Sequence, residues 1–380
     1  MLLLGIIIGL LALVFLVVVH ELGHAIVARR NGVVVEEFGI GFPPRAWGRK
    51  LKNGILLSLN WLPLGGFVKL QGEHDAAEGK GGYGAATYWQ KTKILLAGVA
   101  INWLVAALLL TVLAWTGLPK VLPNQFTVAG DTSVQKRPVE IQTLSAGSPA
   151  DKAGLKSGDG ILRFDGAPVE DAQSLVAAAK ANAGKTVEVI YSRGGEEATT
   201  KVTLREDNAQ GEGFLGVGPI QRSVTRSTWS APIVGFATAA QLTTASFQGL
   251  GELVANVFKG IVFQFSPEST VREAAGDNLA KAGASVAGPV GVLGVIFPAA
   301  EKAGLTQVIF LTAIVSLSLA LMNALPIPAL DGGRWFVMTV FRLLKKPLTK
   351  EREEKIQGAG FMFLMFLIIV VTIADVRKFF

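Results

Sequence analysis

Four stretches of the chain are almost wholly apolar. They cover about residues 2–28, 94–118, 308–325 and 361–374. Crossing the hydrocarbon of a bilayer takes roughly 20 apolar residues in a helix, so the fourth stretch qualifies only if its helix begins near Lys355. The pattern predicts a polytopic α-helical membrane protein with about four transmembrane helices.

The first apolar stretch has a second interpretation, a cleaved signal peptide. No basic residue precedes it, no small-x-small cleavage pattern follows it, and Arg29 and Arg30 come after the apolar run. A signal peptide has the opposite charge order. The sequence therefore favours a membrane span.

The segments between the spans are more polar. Partial alternation predicts short strands at Ile55–Trp61 and Phe67–Leu70, forming a membrane-associated hairpin or sheet. Its edge either accepts a substrate strand or has only a structural role. Residues 125–221 hold several strand-like runs and two short helical segments, which indicates an inserted α+β domain. Residues 222–305 read as an amphipathic helix on the membrane surface or, less simply, a fifth span.

Charge sets the expected orientation. Only 17% of residues are charged, against about 25% in soluble proteins. Lysines and arginines concentrate in residues 29–93 and 334–355, which the positive-inside rule assigns to the cytoplasm. The inserted domain and both termini then lie outside. The net charge of +7 is too modest to indicate nucleic-acid binding.

The end of the first span carries three ionisable residues. His20 and His24 are four apart and share one helix face, with Glu21 beside His20. In the pattern H-E-x-x-H the imidazoles bind zinc and the glutamate is the general base. Ionisable groups in a span are costly and indicate function; the alternative is a polar interfacial helix end. At 1.5 Å per residue the pair lies about 10 Å below the cytoplasmic boundary.

A catalytic zinc needs a third protein ligand, and the chain has no cysteine. His74 lies in a polar stretch typical of a solvated loop. Asp331 follows Pro326 and Pro328, which open the backbone after the third span, and precedes two glycines. It is either the third ligand or the N-cap of a helix after an ordinary turn. Asn323 has an amide that can hold a substrate carbonyl.

These motifs resemble the site-2 protease family of intramembrane zinc metalloproteases, closest to the bacterial branch that cuts anti-sigma proteins. "HELGH" and "NALPIPALDGG" match its two metal motifs, and "EEFGIGFPP" and "WLPLGGFVKLQGE" are similar to its glycine-rich loop and P-x-G-G segment. The chain departs from the family's A-G-P-x-x-N pattern at Val99 but keeps Asn102. In addition, "GSPADKAGLKSGDGILRFDG" resembles a bacterial PDZ domain, a fold that takes extended peptides.

The resemblance implies one Zn²⁺ per chain, held by His20, His24 and Asp331, with Glu21 as base. It implies substrate-binding or supporting roles for a further set of residues. That set is Asn323, Asn102, Pro326, Gly65 and Gly66.

The expected protein is a multi-pass protease of a bacterial inner membrane. Its active site would lie near the cytoplasmic face, with the PDZ domain outside. Expected partners are the lipid bilayer, single-span substrates such as anti-sigma factors or signal-peptide remnants, and peptide C-termini at the PDZ domain. The alternatives are a non-catalytic PDZ-bearing scaffold and a metal carrier. The expected domains are 1–120, 125–221, 222–305 and 306–380.

Overall fold

The computed structural model describes residues 2–75, 79–208, 213–284 and 287–379. Helices alternate with two sheets along the chain. The helices are α1 (Leu2–Arg30), α2 (Tyr88–Leu95), α3 (Ala97–Thr116), α4 (Pro149–Lys152), α5 (Ala172–Ala181), α6 (Ala231–Phe263), α7 (Ser269–Ala284), α8 (Pro289–Gly291), α9 (Phe297–Ala303), α10 (Leu305–Ala324), α11 (Asp331–Leu343) and α12 (Lys350–Phe379), with a π-helix at Val292–Ile296. The strands are β1 (Val35–Lys50), β2 (Leu56–Leu70), β3 (Leu118–Pro119), β4 (Ser133–Leu144), β5 (Gly160–Phe164), β6 (Ala167–Pro168), β7 (Thr186–Arg193), β8 (Glu196–Thr203) and β9 (Val217–Arg226).

Four of the described helices are long and apolar enough to cross a membrane. They are Leu2–Arg30, Tyr88–Thr116, Leu305–Ala324 and Lys350–Lys378. The four predicted apolar helices are therefore present. The fourth begins at Lys350, earlier than its apolar core, because the charged residues there continue the same helix.

The chain forms two compact units. The first consists of Met1–Leu113 and Ala231–Phe380, and the second of Ala114–Ser230. The range 125–221 expected for the inserted domain lies within the second unit. That unit is longer because β3, at Leu118–Pro119, pairs with the end of β9.

Small residues let the helices of the first unit approach closely. A Cβ on Gly9 would lie 2.8 Å from the Phe297 ring, and one on Gly5 would overlap Pro298. The segment from α8 to α9 therefore packs against the first half of α1. Buried Asp375 of α12 holds the start of this segment, since it accepts hydrogen bonds from the Gly288 and Gly291 N–H groups at 2.9 and 2.7 Å.

Helix α6 covers much of the range 222–305, for which the sequence predicted an amphipathic helix on the membrane surface or a fifth span. Its first half packs along α3: the Trp103 indole N–H donates to Thr243 Oγ1 at 3.0 Å, and Gly235 contacts Thr111. α3 lies in the second candidate span. The first part of α6 therefore lies beside a candidate membrane span, which its apolar and small residues permit.

The two strands near the metal motifs are longer than the sequence predicted. β1 and β2 each bend and pair twice, so their segments lie in the order 66–70, 35–40, 56–60 and 45–50. Residues 55–61 and 67–70 thus pair with β1 and not with each other. Segment 66–70 stands at one edge of this sheet.

The second unit is built around an antiparallel sheet of order β3-β9-β4-β5-β7-β8, with β6 beside β5. Its core contains the fully buried Phe164, Ile161 and Val189, covered by Leu175 of α5. Asp159 is buried at the start of β5. It accepts two bonds from the Arg193 guanidinium, both at 2.7 Å, and one from the Lys156 N–H.

Replacing Asp159 by Asn should lower the stability of this unit. The substitution removes a buried carboxylate that accepts from three donors, and the amide that replaces it has only one acceptor oxygen, so some of these donors lose their partner. Thermal unfolding of the purified full chain, followed by a probe of the second unit, measures the loss. Glu197→Gln, which removes an exposed charge from the same unit, is the control. Equal stability of the two variants would contradict the structural role of Asp159.

Candidate metal centre

Three side chains from two distant parts of the chain meet beside the end of α1. His20 and His24 lie one turn apart on α1, and Asp331 is the first residue of α11. His20 Nε2 lies 3.0 Å from Asp331 Oδ2, His24 Nε2 lies 3.2 Å from the same oxygen, and the two Nε2 atoms are 3.2 Å apart. The two histidines are buried.

The arrangement fits a divalent metal. Zinc binds imidazole nitrogen and carboxylate oxygen at about 2.0–2.2 Å in a tetrahedron, so neighbouring donors stand roughly 3.3 Å apart. All three separations are close to that edge length. The residues offer two nitrogens and one oxygen, and a catalytic zinc keeps its fourth position for water or substrate.

The outer nitrogens of both imidazoles have partners. His24 Nδ1 lies 2.7 Å from the Ile94 carbonyl, to which it donates. His20 Nδ1 lies 3.2 Å from the Asn102 amide. Asn102 Oδ1 is buried and has no partner among the described residues; turning the amide by 180° sets this oxygen against a His20 Nδ1–H. Both Nε2 atoms then face the centre as acceptors, the tautomer that a metal ligand needs.

Close helix contact leaves room for the imidazoles. Gly98, in the first turn of α3, faces both rings, and a Cβ there would lie 2.5 Å from the Nε2 atoms of His20 and His24. Gly23 of α1 similarly faces the Ala97 carbonyl. The Asn102 carbonyl accepts a 2.8 Å bond from Ser316 Oγ, which ties α10 to the same place.

The turn between α10 and α11 brings Asp331 back to α1. α10 ends at Ala324, and Pro326 lies in the irregular segment that follows. A Cβ on Gly332 would overlap the Ala324 carbonyl, and one on Gly333 the Ile327 carbonyl. Only glycine fits at both positions.

Glu21 lies in a cavity of about 470 Å³ that His24 and Asp331 also line. The Val68 backbone, in the sheet edge 66–70, interacts electrostatically with the Glu21 carboxyl group. Gly66 is close as well, since a Cβ there would lie 3.6 Å from Glu21 Cγ. The Glu21 carboxyl group therefore lies between the candidate metal ligands and the strand edge 66–70.

Charged residues line another part of this cavity. Arg334 donates to Glu353 at 3.1 Å and to the Glu73 carbonyl, and its guanidinium stacks 4.8 Å from the Tyr83 ring centre. Burial raises the pKa of Glu73, and the nearby Arg334 opposes that rise. Burial also raises the pKa of Tyr83. His74 lines the cavity, with Nε2 3.7 Å from Glu354.

The remaining residues singled out by sequence take other positions. The Asn323 amide donates to the Leu319 carbonyl of its own helix at 3.0 Å. Gly65 has φ +96° and faces the Phe42 ring. Sequence reasoning missed Ile94, Arg334 and Glu353, because nothing in a single sequence indicates which carbonyl or ion pair completes a site.

Replacing Gly98 by Ala should lower the metal content of the purified protein. The added methyl group would occupy the space of the imidazole nitrogens, so the rings must turn away from the centre. Elemental analysis should show less than half of the unaltered protein's metal, with helical content retained. Gly276→Ala is the control, since a Cβ there meets nothing within 4 Å. Full metal content in the Gly98 variant would contradict this geometry.

Relatives of this chain are proteases by name. A Clostridium perfringens protein, named provisionally as a zinc metalloprotease, is 32% identical over 98% of each chain. The zinc metalloprotease RasP of Geobacillus kaustophilus is 26% identical, and the regulator of sigma-W protease RasP of Bacillus subtilis 25%, each over 96% of both chains.

A solved PDZ domain, from an SdrC-like protein of Listeria monocytogenes, is also similar. It is 21% identical, with a TM-score of 0.20, over 25% of this chain and 94% of the neighbour.

The sequence profile of peptidase family M50 matches residues 8–367. The chain belongs to peptidase family M50.

Proposed function

We propose that this zinc metalloprotease hydrolyses peptide bonds within or near transmembrane helices of other proteins. The observation that carries the proposal is the meeting of His20, His24 and Asp331 beside Glu21, at the end of a helix apolar enough to span a membrane. The peptidase family and the names of the relatives agree with it.

His20, His24 and Asp331 would hold one Zn²⁺. When bound, zinc supplies a Lewis acid that polarises the scissile carbonyl and acidifies water. Glu21 takes a proton from the attacking water and later returns it to the leaving amine. Asn102 and the Ile94 carbonyl orient the imidazoles.

The reaction takes place near the cytoplasmic face of a bacterial inner membrane in this proposal. Arg29 and Arg30 end α1, and basic residues follow the metal centre in the loop before α12. The positive-inside rule assigns both regions to the cytoplasm. The second unit, connected to the opposite ends of the spans, then lies outside.

A substrate helix must unwind before it can be cut. Its backbone groups are already paired, and each unpaired group costs several kcal/mol in lipid. Segment 66–70 stands at a sheet edge beside Glu21. An unwound substrate that adds to this edge as a strand regains backbone hydrogen bonds next to the base.

The name of one relative supports a substrate class. The Bacillus subtilis relative is named a regulator of sigma-W, which favours membrane-bound anti-sigma factors as substrates. Signal-peptide remnants are the second candidate class, since they too are single apolar helices.

The second unit offers a place for a cut peptide end, and we propose that it is a PDZ domain. A cavity of about 350 Å³ lies between α5 and the start of β9, lined by Val176, Ala179, Phe214 and Leu215. Apolar walls beside a strand suit an extended peptide with an apolar last residue. The same unit could instead restrict the size of substrates.

A non-catalytic scaffold and a metal carrier are the two alternatives to proteolysis. A PDZ-bearing scaffold needs no metal donors, and a metal carrier needs no general base beside its metal donors. Neither a scaffold nor a metal carrier needs a carboxylate at the position of Glu21. The place of Glu21 in the cavity beside the metal donors therefore favours hydrolysis.

Glu21→Gln should abolish proteolysis and keep the metal, because the amide cannot accept the water proton. Asp331→Ala should lose both. Cleavage of a single-span reporter in reconstituted vesicles and zinc content of the purified protein measure the two effects. His74→Gln, altered in the same cavity but outside the donor set, is the control. Cleavage by a zinc-loaded Glu21→Gln variant would exclude Glu21 as the base.

Val176→Asp should weaken binding of a peptide with a free apolar C-terminus at least tenfold, because the added carboxylate faces the peptide's own. Fluorescence anisotropy of a labelled peptide on the full chain measures the affinity. Val134→Asp, also at an exposed valine of the second unit, is the control. Equal binding by all proteins would favour the size-restricting role.

A further inference from the structure

A second cavity of the first unit has no part in the proposed hydrolysis. It measures about 290 Å³ and lies between the first turn of α2 and the end of α11. Its polar lining comes from Lys91, Arg342, Lys346 and Asp75, and Phe341, Met338 and Leu348 form an apolar wall. A cavity that is cationic on one side and apolar on another suits an amphiphilic anion.

The charges in this cavity do not cancel. Lys91 is buried, and its Nζ lies 2.6 Å from Asp75 Oδ1, so these two neutralise each other. Arg342 and Lys346 also line the cavity, and no ion pair joins either of them to a carboxylate among the described residues. Among the described residues, the lining therefore holds three cationic side chains and one carboxylate, a net of two positive charges.

One cation of the cavity, Arg342, is held in place before any ligand binds. The Arg342 guanidinium stacks 4.5 Å from the Tyr88 ring centre. The Tyr88 hydroxyl is hydrogen-bonded to Thr339 Oγ1 at 3.0 Å, which fixes α2 against α11. Preorganised donors lose less entropy on binding an anion.

The surroundings of the cavity are those of a membrane surface. Leu343 and Leu344 are 76% and 59% exposed, directly beside Arg342 and Lys346. Trp89, at the start of the second candidate span, is 69% exposed. Exposed leucines and tryptophan next to basic residues mark a segment that lies in the headgroup region.

We propose that this cavity binds the phosphate of an anionic phospholipid of the cytoplasmic leaflet. Arg342 and Lys346 pair with the phosphate, and the apolar wall contacts the glycerol and the first acyl carbons. The proposal rests on the orientation given under the proposed function. Because α11 begins with Asp331, the site lies on the helix that carries a metal donor.

Native mass spectrometry of the full chain in detergent, titrated with phosphatidylglycerol or phosphatidylcholine, tests the proposal. Phosphatidylglycerol should bind and phosphatidylcholine should not compete. Arg342→Ala and Lys346→Ala should each weaken binding about fivefold, the usual contribution of one basic residue near an anionic surface. Lys345→Ala, which removes the same charge outside the cavity lining, should change binding less than twofold.

Three results would overturn the proposal. They are equal binding of both lipids, equal losses in the Lys345 and Lys346 variants, and displacement of the lipid by inorganic phosphate at constant ionic strength, which would indicate a site for the free anion. Zinc content and reporter cleavage of the unaltered protein in phosphatidylcholine vesicles test the proposed hydrolysis separately. A failure of one proposal is therefore distinguishable from a failure of the other.

Discussion

A polar group within a membrane must be paired by protein, because lipid offers no hydrogen bonds, and this constraint shapes the whole first unit. His20 and His24 point inward from an apolar helix and meet Asp331, Ile94 and Asn102. Each partner comes from a different place in the chain. Helices α3, α10 and α11 therefore have to converge on one turn of α1. The positions of these helices and the geometry of the metal centre depend on each other.

Glycine makes this convergence possible. Gly98 admits the imidazoles, Gly332 and Gly333 admit the carbonyls of the preceding turn, and Gly66 admits the Gly39 carbonyl of the neighbouring strand. At each of these positions a methyl group would meet a neighbour within contact distance. In lipid no hydrophobic effect drives helices together, so close packing of their backbones holds them instead. The same close packing sets the donor separations that a metal requires.

The sequence predicted the features that depend on local pattern. The apolar lengths indicated the four long helices, and the spacing of His20 and His24 indicated a shared face. The partners of those histidines could not be predicted, because Ile94 contributes a backbone carbonyl and any residue has one. The double pairing of β1 was also missed, since alternation identifies a strand but not its neighbours. For α6, composition alone could not distinguish a helix beside α3 from one on a membrane surface.

Hydrolysis near lipid needs water at the scissile bond and a path by which it arrives. The cavity that contains Glu21 is lined with charged residues of α11 and α12, among them Arg334 and Glu353. These side chains pair with each other and with the loop after β2. The pairing offsets the free-energy cost of burying their charges, and the cavity between them stays polar. In the proposed function, this polar cavity offers water a path to the donors, and the substrate comes from the lipid. α11 joins the two environments, since its first residue is a metal donor and its last turn carries the exposed leucines.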